Sequence, residues 1–172
     1  MPILSLLRRP LRLIPAEGEE THTSAIFVTL CTKHREHLLG EIVHGDMILN
    51  EFGQIAWNEW FNLTDRFPWL LTDSFVVMPN HLHGILWVNT QSNASEGGGD
   101  MRPQPLGVAM KAYRTSVTER INNLRGTPGI DIWQDEFYRH TVRDDDECML
   151  MRAYIAENPS WWDGNWDDLM EP

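Results

Sequence analysis

Basic residues are in short supply: 14 Lys and Arg stand against 25 Asp and Glu, giving a formal net charge of -11 over 172 residues. Phosphate backbones favour basic surfaces, so the global charge argues against a nucleic-acid partner unless a local cluster supplies the contact. Cysteine is scarcer still. Cys31 and Cys148 form no close-spaced pair, which excludes a disulfide framework or a zinc ribbon and fits reduced cytosolic thiols. Long apolar runs are also missing. Met1 to Pro15 carries Leu and Ile but is interrupted by Arg8, Arg9, Pro10 and Arg12. It is too broken for a signal-peptide core, and no later stretch is long enough to span a bilayer. A cytoplasmic protein without a membrane partner is expected. There is no Gly-rich phosphate loop and no internal repeat.

What is present suits one globular domain, with 42% apolar residues to build a core. Ala25 to Cys31 is rich in β-branched and aromatic residues and predicts a strand. Glu41-Ile42-Val43 and Met47-Ile48-Leu49 flank His44-Gly45-Asp46 and predict a small hairpin. Asn50 is placed to cap a helix from Glu51 to about Leu63, which Pro68 closes. Two apolar runs separated by Pro79-Asn80 predict adjacent antiparallel strands. Residues 89–105, with Gly97-Gly98-Gly99 and two prolines, predict a loop. A helix from Leu106 to about Leu124 follows, with Val108, Tyr113, Val117 and Ile121 as inward positions. Phe137 to Val142 is extended, and a last helix starts at Asp144-Asp145-Asp146 and stops at Pro159. The pattern gives an α+β fold, a mainly antiparallel sheet with helices packed on one side. Residues 1–23 are expected to be an extension, 24–162 the domain, and 163–172 an acidic tail.

His81 and His83 are two apart in a strand, so both imidazoles project from one face while Leu82 faces the other way. Two neutral imidazoles make half a first-row metal site, although such a pair is more often structural. Tyr154 and Asn158 are four apart and share a helical face. Taken alone they are a half-buried tyrosine and an asparagine that closes the helix. Lys111, Arg114, Arg120 and Arg125 outnumber Glu119 on the 106–125 helix, and Arg139, Arg143 and Arg152 lead toward Tyr154. Lys111, Arg114, Arg120, Arg143 and Arg152 are candidate phosphate contacts, with a solvated helix face as the plainer meaning. Trp133 and Tyr138 are candidate stacking platforms for unpaired bases, or core aromatics. His140 either orients groups near the site or is structural. His34, His37 and His44 show no ligand-like arrangement.

Met78-Pro79-Asn80-His81-Leu82-His83-Gly84 resembles the His-hydrophobic-His box of single-tyrosine, single-strand DNA transposases, in particular the REP-associated tyrosine transposases. Tyr154-Ile155-Ala156-Glu157-Asn158-Pro159 is similar to their closing Tyr-x-x-x-Asn-Pro box. The similarity extends over Phe27 to Thr32, Arg35 to Gly45, Met47 to Gly53, Arg125 to Gly129 and Trp133 to Arg143, so it spans about residues 25–162. The resemblance implies a ferredoxin-like HUH domain with Tyr154 as nucleophile. It implies His81, His83 and Asn158 as ligands of Mg²⁺ or Mn²⁺. The implied activity is metal-dependent cleavage and transfer of single-stranded or hairpin DNA through a covalent 5′-phosphotyrosine. A phenol of ordinary pKa, about 10, needs such assistance at neutral pH. Tyr113 is the rival nucleophile, but position 117 is Val where a polar ligand would stand, and Tyr138 is third. The alternative is a domesticated protein that binds hairpins without cutting them, which the acidic composition favours. A nucleotide hydrolase would want a further alternating histidine, and position 85 is Ile. Monomer and homodimer stay open.

Overall fold

A computed structural model of the chain describes residues 23–89 and 105–162. The expected extension up to residue 22, most of the expected 89–105 loop and the acidic tail lie outside the described residues.

Strand β1 (Thr23–Cys31) opens the domain. A hairpin follows, β2 (Gly40–Val43) and β3 (Asp46–Leu49). Its connecting residues His44 and Gly45 have φ of 53° and 84°, the doubly positive geometry whose twist matches that of paired strands. Helix α1 (Glu51–Arg66) begins where Asn50 Oδ1 accepts from the backbone N–H groups of Phe52 and Gly53. That bond pair satisfies two donors that every helix start leaves open. β4 (Leu70–Val77) and β5 (His81–Asn89) pair antiparallel across the Pro79-Asn80 turn. Helix α2 (Pro105–Arg125), strand β6 (Tyr138–Thr141) and helix α3 (Asp145–Glu157) complete the order. Among the described residues no helix is long and apolar enough to cross a membrane.

The main sheet runs β4-β5-β1-β6 and is antiparallel at every pairing. With α1 between β1 and β4 and α2 between β5 and β6, this is the β-α-β-β-α-β ferredoxin-like arrangement, and the fold class is α+β. On one face, Val28, Leu30, Leu82 and Leu86 meet Ala56, Trp60 and Leu63 of α1 and Met110, Tyr113 and Val117 of α2. On the other, Ala25, Phe27, Val76 and Ile85 meet Cys148, Met151, Tyr154 and Ile155 of α3.

The expected placement of the helices on one side is therefore corrected: two lie on one face and the third on the other. Strand alternation gives the reason. The residues of β1 and β5 that share a face with the histidines include Ala25, Phe27 and Ile85, an apolar patch that needs a cover of its own. Val108 also departs from expectation, being exposed, while Leu106, Ala109 and Met110 turn inward. Five residues before Tyr113, Val108 is rotated from it by about 140° around the helix. Gly84 marks the closest approach across the α1 face. A Cβ there would lie 2.3 Å from the Trp60 ring, and that ring stacks on Phe75 at 4.3 Å.

Candidate active site

The β1–β5 register sets Thr29 opposite His83 and Cys31 opposite His81. Both imidazoles are fully buried, with centroids 4.7 Å apart. Each ring is held through its Nδ1. His81 Nδ1 lies 2.7 Å from Asn80 Oδ1, and because a carbonyl oxygen only accepts, the proton sits on Nδ1 and the lone pair on Nε2. His83 Nδ1 lies 2.8 Å from Thr29 Oγ1, and Phe27 stacks on the ring at 5.3 Å. On the far side of His83, the Tyr154 hydroxyl stands 3.4 Å from Nε2.

Burial, joined by the charge of Arg35, holds the His81 pKa down to about 3 against a raising effect of the Asn158 amide. Burial, joined by His81, keeps His83 well below its ordinary value. Both rings are thus neutral at physiological pH, the form in which imidazole binds a metal. Burial pushes the Tyr154 phenol up, opposed by its hydrogen bond with Asn158. The tyrosine does not ionise unaided.

Helix α3 carries Tyr154, and polar latches hold that helix at both edges of the sheet. Asp144 caps its start by accepting from the Glu147 N–H. At the β4 edge, a register shift between Thr72 and Phe75 accompanies Asp73. The Asp73 carboxylate accepts from Arg152 at 2.5 Å, from Trp87 Nε1 at 2.7 Å and from the Ser74 N–H at 2.6 Å. At the β6 edge, Glu147 takes His140 at 3.1 Å and Arg143 at 3.0 Å. Past the helix, Asn158 opens a 3-10 turn ending at Trp161. Its buried amide acts on both His81 and Tyr154. Trp161 then packs beside Tyr154 at 6.5 Å and Trp162 beside His81 at 5.8 Å.

Among the described residues no group of three or more His, Cys, Asp or Glu side chains is arranged to hold a metal ion. The set to be tested is instead two imidazoles and an amide. Asn158 Oδ1 is buried with no hydrogen bond of good geometry among the described residues, which suits an oxygen donor. His81 and His83 are neutral and share one face. The donor set fits a divalent ion whose remaining positions are left to water and substrate oxygens.

The other candidates are dispersed. Tyr113 is fully buried beneath the opposite face, donating to the Ala56 carbonyl at 2.9 Å, and burial with the nearby Glu59 pushes its pKa far up. Trp133 is 2% exposed and packs against Tyr113, so the stacking role is corrected: its faces are already in use. Arg114 holds the carbonyls of Gln134 and Asp135. Arg120 holds Glu59 at 2.5 Å. Lys111 and Arg114 line a cleft of about 580 Å³ between α2 and residues 129–137, which shares no lining residue with the histidine cluster. Arg143, Arg152 and His140 belong to the α3 latches.

Sequence reasoning missed Thr29, Asn80, Asp73, Glu147, Trp161 and Trp162. For Thr29 and Asn80 a signal existed, since each stands in a box that resembles the transposases, two residues before Cys31 and directly before His81.

One solved structure supports the fold. A REP-associated tyrosine transposase bound to a REP hairpin superposes with a TM-score of 0.50 at 18% identity, over 84% of this chain and 71% of that one. At that identity the likeness is one of fold. A candidate transposase from Deinococcus radiodurans gives a TM-score of 0.49 at 14% identity, over 83% of this chain and 96% of its own. No protein-family model matches the chain. An uncharacterised protein of Haemophilus influenzae is 31% identical over 147 residues, 80% of this chain and 81% of its own. The chain belongs to the same family as that protein.

Proposed function

We propose that the protein is a cytoplasmic, metal-dependent single-strand DNA endonuclease and strand transferase of the HUH single-tyrosine type, acting on hairpin DNA. Residues 24–162 form the catalytic unit, flanked by an extension and an acidic tail. The observation that carries this is the Tyr154 hydroxyl 3.4 Å from His83 Nε2, with Asn158 acting on both Tyr154 and His81. Two segments far apart in sequence, β5 and the end of α3 with the turn that follows it, bring two imidazoles, one phenol and one amide together.

Tyr154 is the nucleophile. Its oxygen attacks phosphorus, a 5′-phosphotyrosine ester forms, and the bond to the 3′ oxygen breaks. The phenolic proton leaves to solvent base, and the 3′ oxygen takes up a proton from water. Because the ester keeps the energy of the phosphodiester, a second 3′ hydroxyl can reverse the step and join a new strand. His81, His83 and Asn158 would hold Mg²⁺ or Mn²⁺, which when bound supplies positive charge to the non-bridging oxygens. All three ligands are neutral, so they leave that charge undiminished for the phosphate. Thr29 and Asn80 keep the Nε2 atoms turned toward the site. His83 Nε2 cannot ligate a metal and accept the phenolic proton at one instant, so the two uses are successive or exclusive. Trp161 and Trp162 stand beside Tyr154 and His81.

The test is a denaturing gel of labelled hairpin oligonucleotides with protein and Mn²⁺. A protein-linked DNA band is expected for the wild type and for Tyr113→Phe, and none for Tyr154→Phe or with EDTA. Hairpins bound without any covalent band would favour the silent binding protein instead.

A further inference from the structure

Most cations among the described residues are already occupied. Arg152 is tied to Asp73, Arg143 to Glu147, and both Arg66 and Arg120 to Glu59. Arg35 is not. Among the described residues its guanidinium makes no ion pair or hydrogen bond, yet its charge is felt at His81 and at Cys31. It follows the end of β1, where Cys31 is in register with His81.

The backbone there is unusual. His34 and Arg35 have φ of 56° and 54°, a left-handed conformation that residues with a Cβ seldom adopt, least of all in succession. Neighbouring bonds enforce it. The Arg35 N–H donates to the Thr32 carbonyl at 3.1 Å, and the Arg35 carbonyl accepts from Asn80 Nδ2 at 3.4 Å. Thr32 in turn donates to the Asn80 carbonyl through both its N–H and its hydroxyl, each at 2.9 Å. Asn80 is also the residue that fixes His81 Nδ1, at 2.7 Å. One asparagine thus sets both a strained arginine and a candidate metal ligand. Strain that surrounding bonds over-determine gathers at functional positions.

We propose that Arg35 contacts the scissile phosphate, its guanidinium pairing with the non-bridging oxygens while Tyr154 attacks. This rests on the function proposed above. Attack adds charge to those oxygens, and a guanidinium is always charged and matches two of them with its planar fork. The role falls to a residue that the carboxylates among the described residues leave available.

Arg35→Gly is the informative variant. Glycine accepts the left-handed backbone at no steric cost, so the melting temperature should be unchanged or higher. With a labelled hairpin oligonucleotide and Mn²⁺, single-turnover formation of the Tyr154 adduct should fall about 100- to 1,000-fold. Added guanidinium ion at non-denaturing concentration should restore part of it, which a structural role would not allow. An adduct rate equal to wild type overturns the proposal, as does a loss that comes with a lower melting temperature and no rescue. Binding is tested separately in the Tyr154→Phe background. There, Arg35→Gly should flatten the dependence of log affinity on log salt by about 0.7–0.9, and an unchanged slope overturns the contact. A wild type that forms no adduct would defeat the nuclease reading alone, leaving the salt slope to judge Arg35.

Discussion

On one face of the sheet, β5 offers Leu82, Gly84 and Leu86 to α1 and α2; on the other, the same strand offers His81, His83 and Ile85 to α3. The first face is closed with large rings: Trp60 stacks on Phe75 at 4.3 Å and meets Tyr113 edge-on at 5.7 Å. The second buries less of its helix, where Met149 and Leu150 stay 58% and 72% exposed, and relies on ionic latches at Asp73 and Glu147. The difference separates two tasks. Dense aromatic packing supplies stability but leaves no space for a substrate. A thinly packed helix held at its edges keeps polar groups desolvated yet within reach.

The largest effect is expected on the closed face. Trp60→Ala should cost about 3–5 kcal/mol, seen as a fall in the urea midpoint. A cost under about 1 kcal/mol would mean that the α3 face carries more of the stability than its packing implies. Gly84→Ala comes next, at about 1–3 kcal/mol, because the added methyl meets the Trp60 ring at 2.3 Å. The two changes should not add, since an indole that is already gone leaves room for the methyl. Additive losses would show that Gly84 matters for another reason.

On the α3 face, the expected effect is smaller and depends on pH. Burial alone would raise the Asp73 pKa, but hydrogen bonds from Arg152, Trp87 and the Ser74 N–H outweigh it and leave the pKa lowered. A lowered folded-state pKa gives stability that is present above the unfolded value, about 4, and is lost as pH falls through the folded one. Asp73→Asn should therefore cost about 1–2 kcal/mol at pH 7, discounted for the partly exposed Arg152, and progressively less as pH falls below the unfolded value. Hydrogen exchange should show α3 opening before α1 and α2 in this variant. Uniform loss of protection across all three helices would remove the distinction between the faces.

Much of this was legible in the sequence, and the exceptions have a common cause. The His44-Gly45 hairpin and the Asn50 cap depend on neighbours in the chain, so local chemistry specified them. The shared face of His81 and His83 followed from strand alternation. Tyr154 could be linked to those histidines only through the resemblance of its box, because no periodicity connects residues 71 apart. The side on which α3 packs was misjudged, since helix amphipathicity does not say which face of a sheet is meant. Asp73 pairs with Arg152 over 79 residues through a bulge without a sequence signature. Trp133 looked available for stacking, but its neighbour Tyr113 comes from a different element. Arg35 gave no sign of its left-handed backbone, which is imposed by Asn80, 45 residues away.

The smallest stability effect should come with the greatest loss of activity. Tyr154→Phe removes a hydroxyl at a half-buried position. Its 3.4 Å contact with His83 Nε2 is long for a hydrogen bond, and solvent can partly replace its bond to Asn158. The ring contacts with Phe27 and Trp161 survive the change. Stability should stay within about 0.5 kcal/mol of wild type while adduct formation disappears. Tyr113→Phe is the mirror experiment. It deletes a buried 2.9 Å bond to the Ala56 carbonyl and should cost about 1 kcal/mol with adduct formation intact. If Tyr154→Phe instead destabilised the protein as Tyr113→Phe does, the phenol would be a structural group like its counterpart. The α3 face would then be a second core and not a reactive surface, and the latches at Asp73 and Glu147 would merely close it.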